Sequence, residues 1–223
     1  MKIEKEIRYY FSNKELPELV EKLKSFYAYE YSYHEVTTMY DNPNPELSFY
    51  SKEVDGRLRL RYSNIVDSEE FDASPSEASA DTSKCLVTWK RRLPENKGES
   101  IRREEEIEYT TPAGDFDAVR SILENVLQCK RVSSYERIRN FLSAENIQVT
   151  CDQFPYGIML ELEMKDSLLG EGILIDEVKR LGLKLEDASE LSCDDMYFRL
   201  CEESGIEQLP DIAFADKTMP QIA

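Results

Sequence analysis

Charged side chains recur two residues apart in stretch after stretch of this 223-residue chain, and that period limits its fold more than any other feature. Successive side chains of a β-strand point to opposite faces, so residues i and i+2 share one. By that rule Glu4 and Glu6 share a face, as do Arg57, Arg59 and Arg61. So do Thr88 and Lys90; Arg102, Glu104, Glu106 and Glu108; Arg137 and Arg139; and Glu161 and Glu163. In Leu58-Arg59-Leu60-Arg61 and Leu160-Glu161-Leu162-Glu163 the opposite face is apolar. One such strand is an ordinary strand with a solvent face. Taken together they predict that the charged faces meet one another while the apolar faces pack outward against a core or helices. Closing the sheet would then put the charges inside a polar tunnel. Like charges crowded there are costly unless neutralised. Phosphate groups neutralise the basic residues, and a hard divalent cation, Mg2+ or Mn2+, neutralises clustered carboxylates.

The remaining pattern supplies more strands and few helices. Alternation marks a strand over 3–9, with Ile3, Ile7 and Tyr9 on one parity. Ser12 or Asn13 can cap a helix over 14–26, whose apolar stripe is Leu16, Leu19, Val20 and Leu23. Strands are predicted at 33–40, 57–62, 85–91, 101–109, 130–142, 146–152 and 158–165. A helix over 115–127 would bury Val119, Ile122, Leu123 and Val126. Residues 166–183 read as loop and helix, 194–203 as a short helix, and the last twenty as a loose tail. Turn chemistry falls at 41–45 and 94–98. Residues 67–84, acidic among Ser and Ala with no basic residue before Lys84, read as a mobile loop. Short connections favour antiparallel pairing, in one domain over 1–205 with that insert and a tail over 206–223.

With 45 acidic against 28 basic residues the net charge is −17, which repels nucleic acid and anionic membranes. A local basic site inside an acidic shell still suits an anionic ligand. The five scattered cysteines and single His34 give no zinc spacing and suit a reducing compartment. No apolar run approaches membrane-spanning length, and the charged, alternating N-terminus is not a signal peptide. The cytoplasm is the expected location. Neither a P-loop nor a Rossmann glycine fingerprint is present, so any nucleotide would be held by side chains.

The residues resemble a known family. Glu4-Lys5-Glu6-Ile7-Arg8 resembles the E-x-E-x-K motif that opens CYTH proteins, also called triphosphate tunnel metalloenzymes, with Arg8 for the usual lysine. Leu58 to Arg61 resembles their L-R-x-R strand, Thr88-Trp89-Lys90 their T-x-K strand, and 102–108 their R/E-x-E-x-E strand. Arg137-Ile138-Arg139 resembles the K/R-x-R pair, and 152–163 the closing D-x-x-P-x-G-x-x-x-E-x-E hairpin. Order and spacing agree from residue 4 to residue 163. The resemblance implies an α+β fold, an eight-stranded antiparallel β-barrel or triphosphate tunnel with helices packed outside. It implies a triphosphate held by basic residues and Mg2+ or Mn2+ held by glutamates. Carried over by position, Glu4, Glu6, Glu161 and Glu163 become metal candidates, with Glu106 and Glu108 secondary. Arg8, Arg59, Arg61, Lys90, Arg137 and Arg139 become phosphate ligands, with Arg102 a further one; Glu4, Glu6 and Arg8 are the catalytic candidates. Arg8 keeps the charge of lysine but presents a planar fork that stays protonated.

The expected function is therefore metal-dependent hydrolysis of a triphosphate such as tripolyphosphate, ATP or thiamine triphosphate. Alternatives are a class IV adenylyl cyclase, an RNA 5′-triphosphatase disfavoured by the acidic surface, and a non-catalytic polyphosphate- or nucleotide-binding module. A homodimer stays among the options. His34 reads as structural or surface, Trp89 as outer core, and Asp152 as a turn residue or an outer metal or water ligand. Tyr40 and Tyr135 read as core, with base stacking at the tunnel mouth as their second reading.

Overall fold

The computed structural model describes residues 2–51, 54–66, 83–93, 99–216 and 218–223. The expected turn at 94–98 and residues 67–82 of the acidic insert lie outside them. Alternating segments become eight strands: β1 (Lys2–Phe11), β2 (Ala28–Asp41), β3 (Gly56–Val66), β4 (Lys84–Arg92), β5 (Arg102–Pro112), β6 (Lys130–Ser143), β7 (Ile147–Phe154) and β8 (Gly157–Met164). They pair antiparallel in the order β2-β3-β4-β5-β1-β8-β7-β6, and β2 pairs with β6 to close the barrel. A two-residue β9 (Asp211–Ile212) runs parallel to β6.

The apolar parity of most strands faces out and is covered, whereas Ile107 and Tyr109 on β5 stay exposed. Helix α1 (Leu16–Phe26) starts where the Ser12 backbone N–H donates to the Glu15 carboxylate at 2.7 Å. Its Leu19 and Leu23 pack with α3 (Gly172–Arg180) over Ile7, Leu142, Val149, Leu160 and Leu162. Helix α2 (Phe116–Ser121) continues as a π-turn over Ile122–Val126 and covers β2 to β4. Widening to i→i+5 bonding, with Leu127 N–H donating to the Ile122 carbonyl at 2.9 Å, rotates the expected stripe. Leu123 is buried, but Ile122 and Val126 are 51% and 70% exposed, contrary to the regular periodicity. Gly56 opens β3 where the Trp89 ring crosses it, and a Cβ there would stand 2.3 Å from the ring. Trp89 thus lies outside the barrel, edge-on to Phe49 at 5.3 Å.

One end of the barrel is filled. Helix α4 (Cys193–Ser204) is capped by Ser192, whose hydroxyl accepts from Asp195 N–H at 3.3 Å, and ends on Gly205 at φ 65. Its Met196, Tyr197 and Leu200 pack with Met39, Tyr135, Phe154, Tyr156 and Met159 at the strand ends. The expected loose tail is a correction. Ile212 and Met219 are buried in that cluster, and Ile222 N–H donates to the Tyr156 carbonyl at 2.9 Å. The aromatic-lined strand ends offer apolar area that a free tail would leave wet.

Candidate functional site

The charged parities meet inside the barrel around a cavity of about 500 Å³. The register divides its lining into two walls. β2, β3 and β6 form a basic wall, with Arg59 and Arg61 on β3 and Arg137 and Arg139 on β6. β1, β5 and β8 form an acidic wall that includes Glu4, Glu106, Glu161 and Glu163.

The basic wall is short of negative charge. Asp152, wholly buried on β7, accepts from Arg137 at 2.9 Å and from both Nε and Nη2 of Arg139, at 2.7 and 2.6 Å. Glu35 on β2 accepts from Arg137 at 2.6 Å and lies 3.6 Å from Arg61. Burial pushes Arg61 below its ordinary value and the nearby Arg137 and Arg139 cations add to this, despite Glu35. Arg59 is 8% exposed and forms no ion pair among the described residues. Arg59 Nε and Arg137 Nη2 are buried without a hydrogen-bond partner there. A buried donor left unpaired is costly, and an anion in the cavity could satisfy both.

The acidic wall has the opposite excess. Register sets Glu4 opposite Glu104 and Glu6 opposite Glu163, like charges in direct cross-strand positions. Burial would raise Glu4, but the Lys90 ammonium at 2.5 Å holds it well below the usual carboxylate range. Burial likewise opposes ionisation of Glu161, yet Arg8 at 2.5 Å and Arg139 bring it down to about 2. Glu106 is pushed up to about 8 by burial and by Glu4, and Glu163 to about 7 by burial and the Glu4 charge. Both would therefore bind protons at neutral pH, where an unfolded chain would not. Stability from these two groups is full below their ordinary value near 4.5 and is lost as pH rises through 7 to 8. The cation-free protein should have a lower urea midpoint at about pH 8.5 than at about pH 5.5. Glu106→Gln with Glu163→Gln should flatten that slope, and an unchanged slope would place the proton uptake elsewhere.

Family models and curated proteins gave no match to this chain. Solved structures did. PH1012 from Pyrococcus horikoshii superposes with a TM-score of 0.60 at 19% identity, covering 85% of this chain and 96% of that one. An adenylate cyclase candidate from Vibrio parahaemolyticus gives 0.57 at 18% identity, over 87% and 97%. HpAC1 from Hippeastrum, an adenylyl cyclase candidate described as having a dominant triphosphatase activity, gives 0.56 at 16%, over 93% and 98%. These structures share the closed eight-stranded antiparallel barrel that the sequence motifs implied. At such identities the likeness establishes architecture, and the roles of side chains rest on the site itself.

Placed on that fold, most of the site residues expected from sequence converge. Glu4, Arg8, Arg59, Arg61, Lys90, Glu106, Arg137, Arg139, Glu161 and Glu163 all line the cavity. Glu6 and Arg102 do not. Glu6 is fully buried behind Arg8, and Arg102 turns to Glu104 and to the Glu190 carbonyl. Arg8 points at Glu6, at Glu161 and, at 3.7 Å, at Glu104, so it sits among carboxylates as a fixed internal cation. Asp152 is not a turn residue: it lies on β7 against Arg137 and Arg139, and the turn falls at Pro155 and Tyr156. Tyr40 and Tyr135 are core residues, in the α2 cluster and the α4 cluster respectively. Sequence reading missed Glu35, whose signal was a lone acid at inward parity between Tyr33 and Thr37.

Among the described residues no three acidic, histidine or cysteine side chains stand in a metal-holding arrangement. Lys90 lies between Glu4 and Glu106, 3.2 Å from the latter, and Lys2 lies between Glu4 and Glu163 at 3.2 and 3.0 Å. The donor chemistry nevertheless fits a hard cation. The ligating atoms would all be carboxylate oxygens, and burial together with the Glu4 charge pushes Glu106 up to about 8 and Glu163 to about 7, a crowding of like charge that a bound cation would relieve.

Proposed function

We propose that this protein is a divalent-cation-dependent triphosphatase. The observation that carries the reading is the pairing of an anion-deficient wall of four arginines, three of them buried, with a wall of crowded glutamates across one cavity. The fold likeness to HpAC1, described as having a dominant triphosphatase activity, supports it.

Arg59, Arg61, Arg137 and Arg139 would bind the phosphate oxygens with charge-assisted hydrogen bonds and stabilise charge that develops on them. Glu35 fixes the Nε edge of Arg137, Asp152 that of Arg139 and the Thr37 hydroxyl that of Arg61, leaving other N–H groups for the ligand. Glu4, Glu106 and Glu163 would hold Mg2+ or Mn2+, with Glu6 and Glu161 behind them. Such an ion supplies Lewis-acid polarisation of phosphoryl oxygen and a lowered water pKa. Lys90 would turn from carboxylate to phosphate, as a compact charge on a flexible stem can. Burial of the walls excludes bulk water and strengthens each of these contacts.

The test is product analysis. The purified protein is incubated with tripolyphosphate, ATP or thiamine triphosphate, with Mg2+, Mn2+ or EDTA. Phosphate release abolished by EDTA is the expected result. Cyclic AMP with pyrophosphate would establish the cyclase reading instead, favoured by likeness to the Vibrio structure, and binding without turnover would leave a binding module. Arg59→Ala should weaken tripolyphosphate binding by roughly 1.5–3 kcal/mol, the range for hydrogen bonds to charged groups. Calorimetric titration checks this, and an unchanged affinity removes Arg59 from the site.

A further inference from the structure

The cavity has a second kind of surface that phosphate chemistry does not use. Above the basic wall, Tyr31 and Tyr33 on β2 and Phe141 on β6 form an aromatic cluster on the cavity lining. Their ring centroids are 4.7 Å apart for Tyr31 and Phe141, 5.2 Å for Tyr31 and Tyr33, and 6.0 Å for Tyr33 and Phe141. None of the three belongs to the clusters that pack the barrel exterior or the α4 end.

A β-bulge produces this placement. Pairing of β2 with β6 slips between Tyr29 and Tyr31, which stand opposite Leu142 and Phe141. Regular alternation would put Tyr29 and Tyr31 on one face. The extra residue, Glu30, sends Tyr29 outward to the α1–α3 core and leaves Tyr31 inward beside Phe141. Tyr31 remains 38% exposed, a ring held at the mouth rather than withdrawn into the core.

The cluster also sits at the right depth. Tyr33 pairs in register with Arg139, and the Arg139 guanidinium lies 5.6 Å over the Phe141 ring. Two residues of strand rise separate Phe141 from Arg139, roughly 7 Å, about the room a sugar-sized spacer takes. The other end of the barrel is filled by α4 around Cys193, Met196 and Tyr197. Whatever a triphosphate carries must therefore lie toward the aromatic end. An inorganic polyphosphate has no use for π-faces, whereas a heteroaromatic ring stacks on them and Lys84, 5.5 Å over Tyr33, adds a cation at the same rim.

Resting on the triphosphate reading above, we infer that the substrate is a heteroaromatic organic triphosphate, of which a nucleoside triphosphate is the type, and that Tyr31, Tyr33 and Phe141 form the platform on which its ring stacks. Tyr31 is the variant of choice because its ring is exposed and its loss should not unfold the barrel. ATP and tripolyphosphate are titrated calorimetrically into wild type, Tyr31→Ala and Tyr31→Phe. Tyr31→Ala should weaken ATP about tenfold, within the range for loss of one stacked base, and leave tripolyphosphate within about twofold. Tyr31→Phe should restore ATP affinity. Equal losses for both ligands, or unchanged ATP affinity in Tyr31→Ala, overturn the platform while leaving the triphosphate site standing. Wild type that binds neither ligand overturns the triphosphate reading and the platform with it.

Discussion

Glu161→Gln combined with Glu163→Gln should lower triphosphate turnover by at least about 100-fold, or about 2.7 kcal/mol of transition-state stabilisation, with the barrel still folded. The two carboxylates differ in environment, which makes the pair informative. Glu161 is held down by Arg8 and Arg139 against its burial, whereas Glu163 is pushed up to about 7 by burial and the Glu4 charge. Neutralising both removes charge that would hold the metal ion. Arg8 keeps Glu6 and Glu104 as partners, so the loss of Glu161 does not strand it. Circular dichroism and urea unfolding establish the fold, and phosphate release with saturating Mg2+ or Mn2+ establishes the rate. Full turnover in a folded double variant would show that these carboxylates hold no catalytic ion.

Asp152→Ala should destabilise the free protein by about 3–5 kcal/mol, the cost of leaving a buried charge without its partner. Asp152 is inaccessible to solvent and ties Arg137 to Arg139 from the strand next to β6. Without it two guanidinium groups face each other with only Glu35 and the more distant Glu161 near them. Tripolyphosphate should recover part of the loss, because it brings the missing negative charge and binds only the folded state. Denaturant midpoints with and without the ligand measure both effects. A neutral substitution would mean that water or another carboxylate already compensates these arginines.

The barrel was legible because strand parity is a local property. Leu58 to Arg61 and Leu160 to Glu163 state which face is apolar without reference to any other strand, and the structure places those faces as read. Helix α2 was misread where the same logic assumed a constant period: the π-turn at Ile122 shifts the stripe by one position. The tail over 206–223 was misread because its burial depends on the aromatic strand ends beneath it, which no local pattern announces.

Sequence alone determined the alternation of charges, the sign carried by each strand and the order of the motifs, since these need only the two-residue period of a strand. Tertiary structure decided which charges meet. Closure through β2 and β6 brought Glu35 between Arg61 and Arg137, the register set Glu6 against Glu163, and one bulged residue turned Tyr31 toward the cavity. Those pairings join residues about 30 to 160 positions apart in the chain, and their energies depend on distance and burial that arise only when the sheet closes.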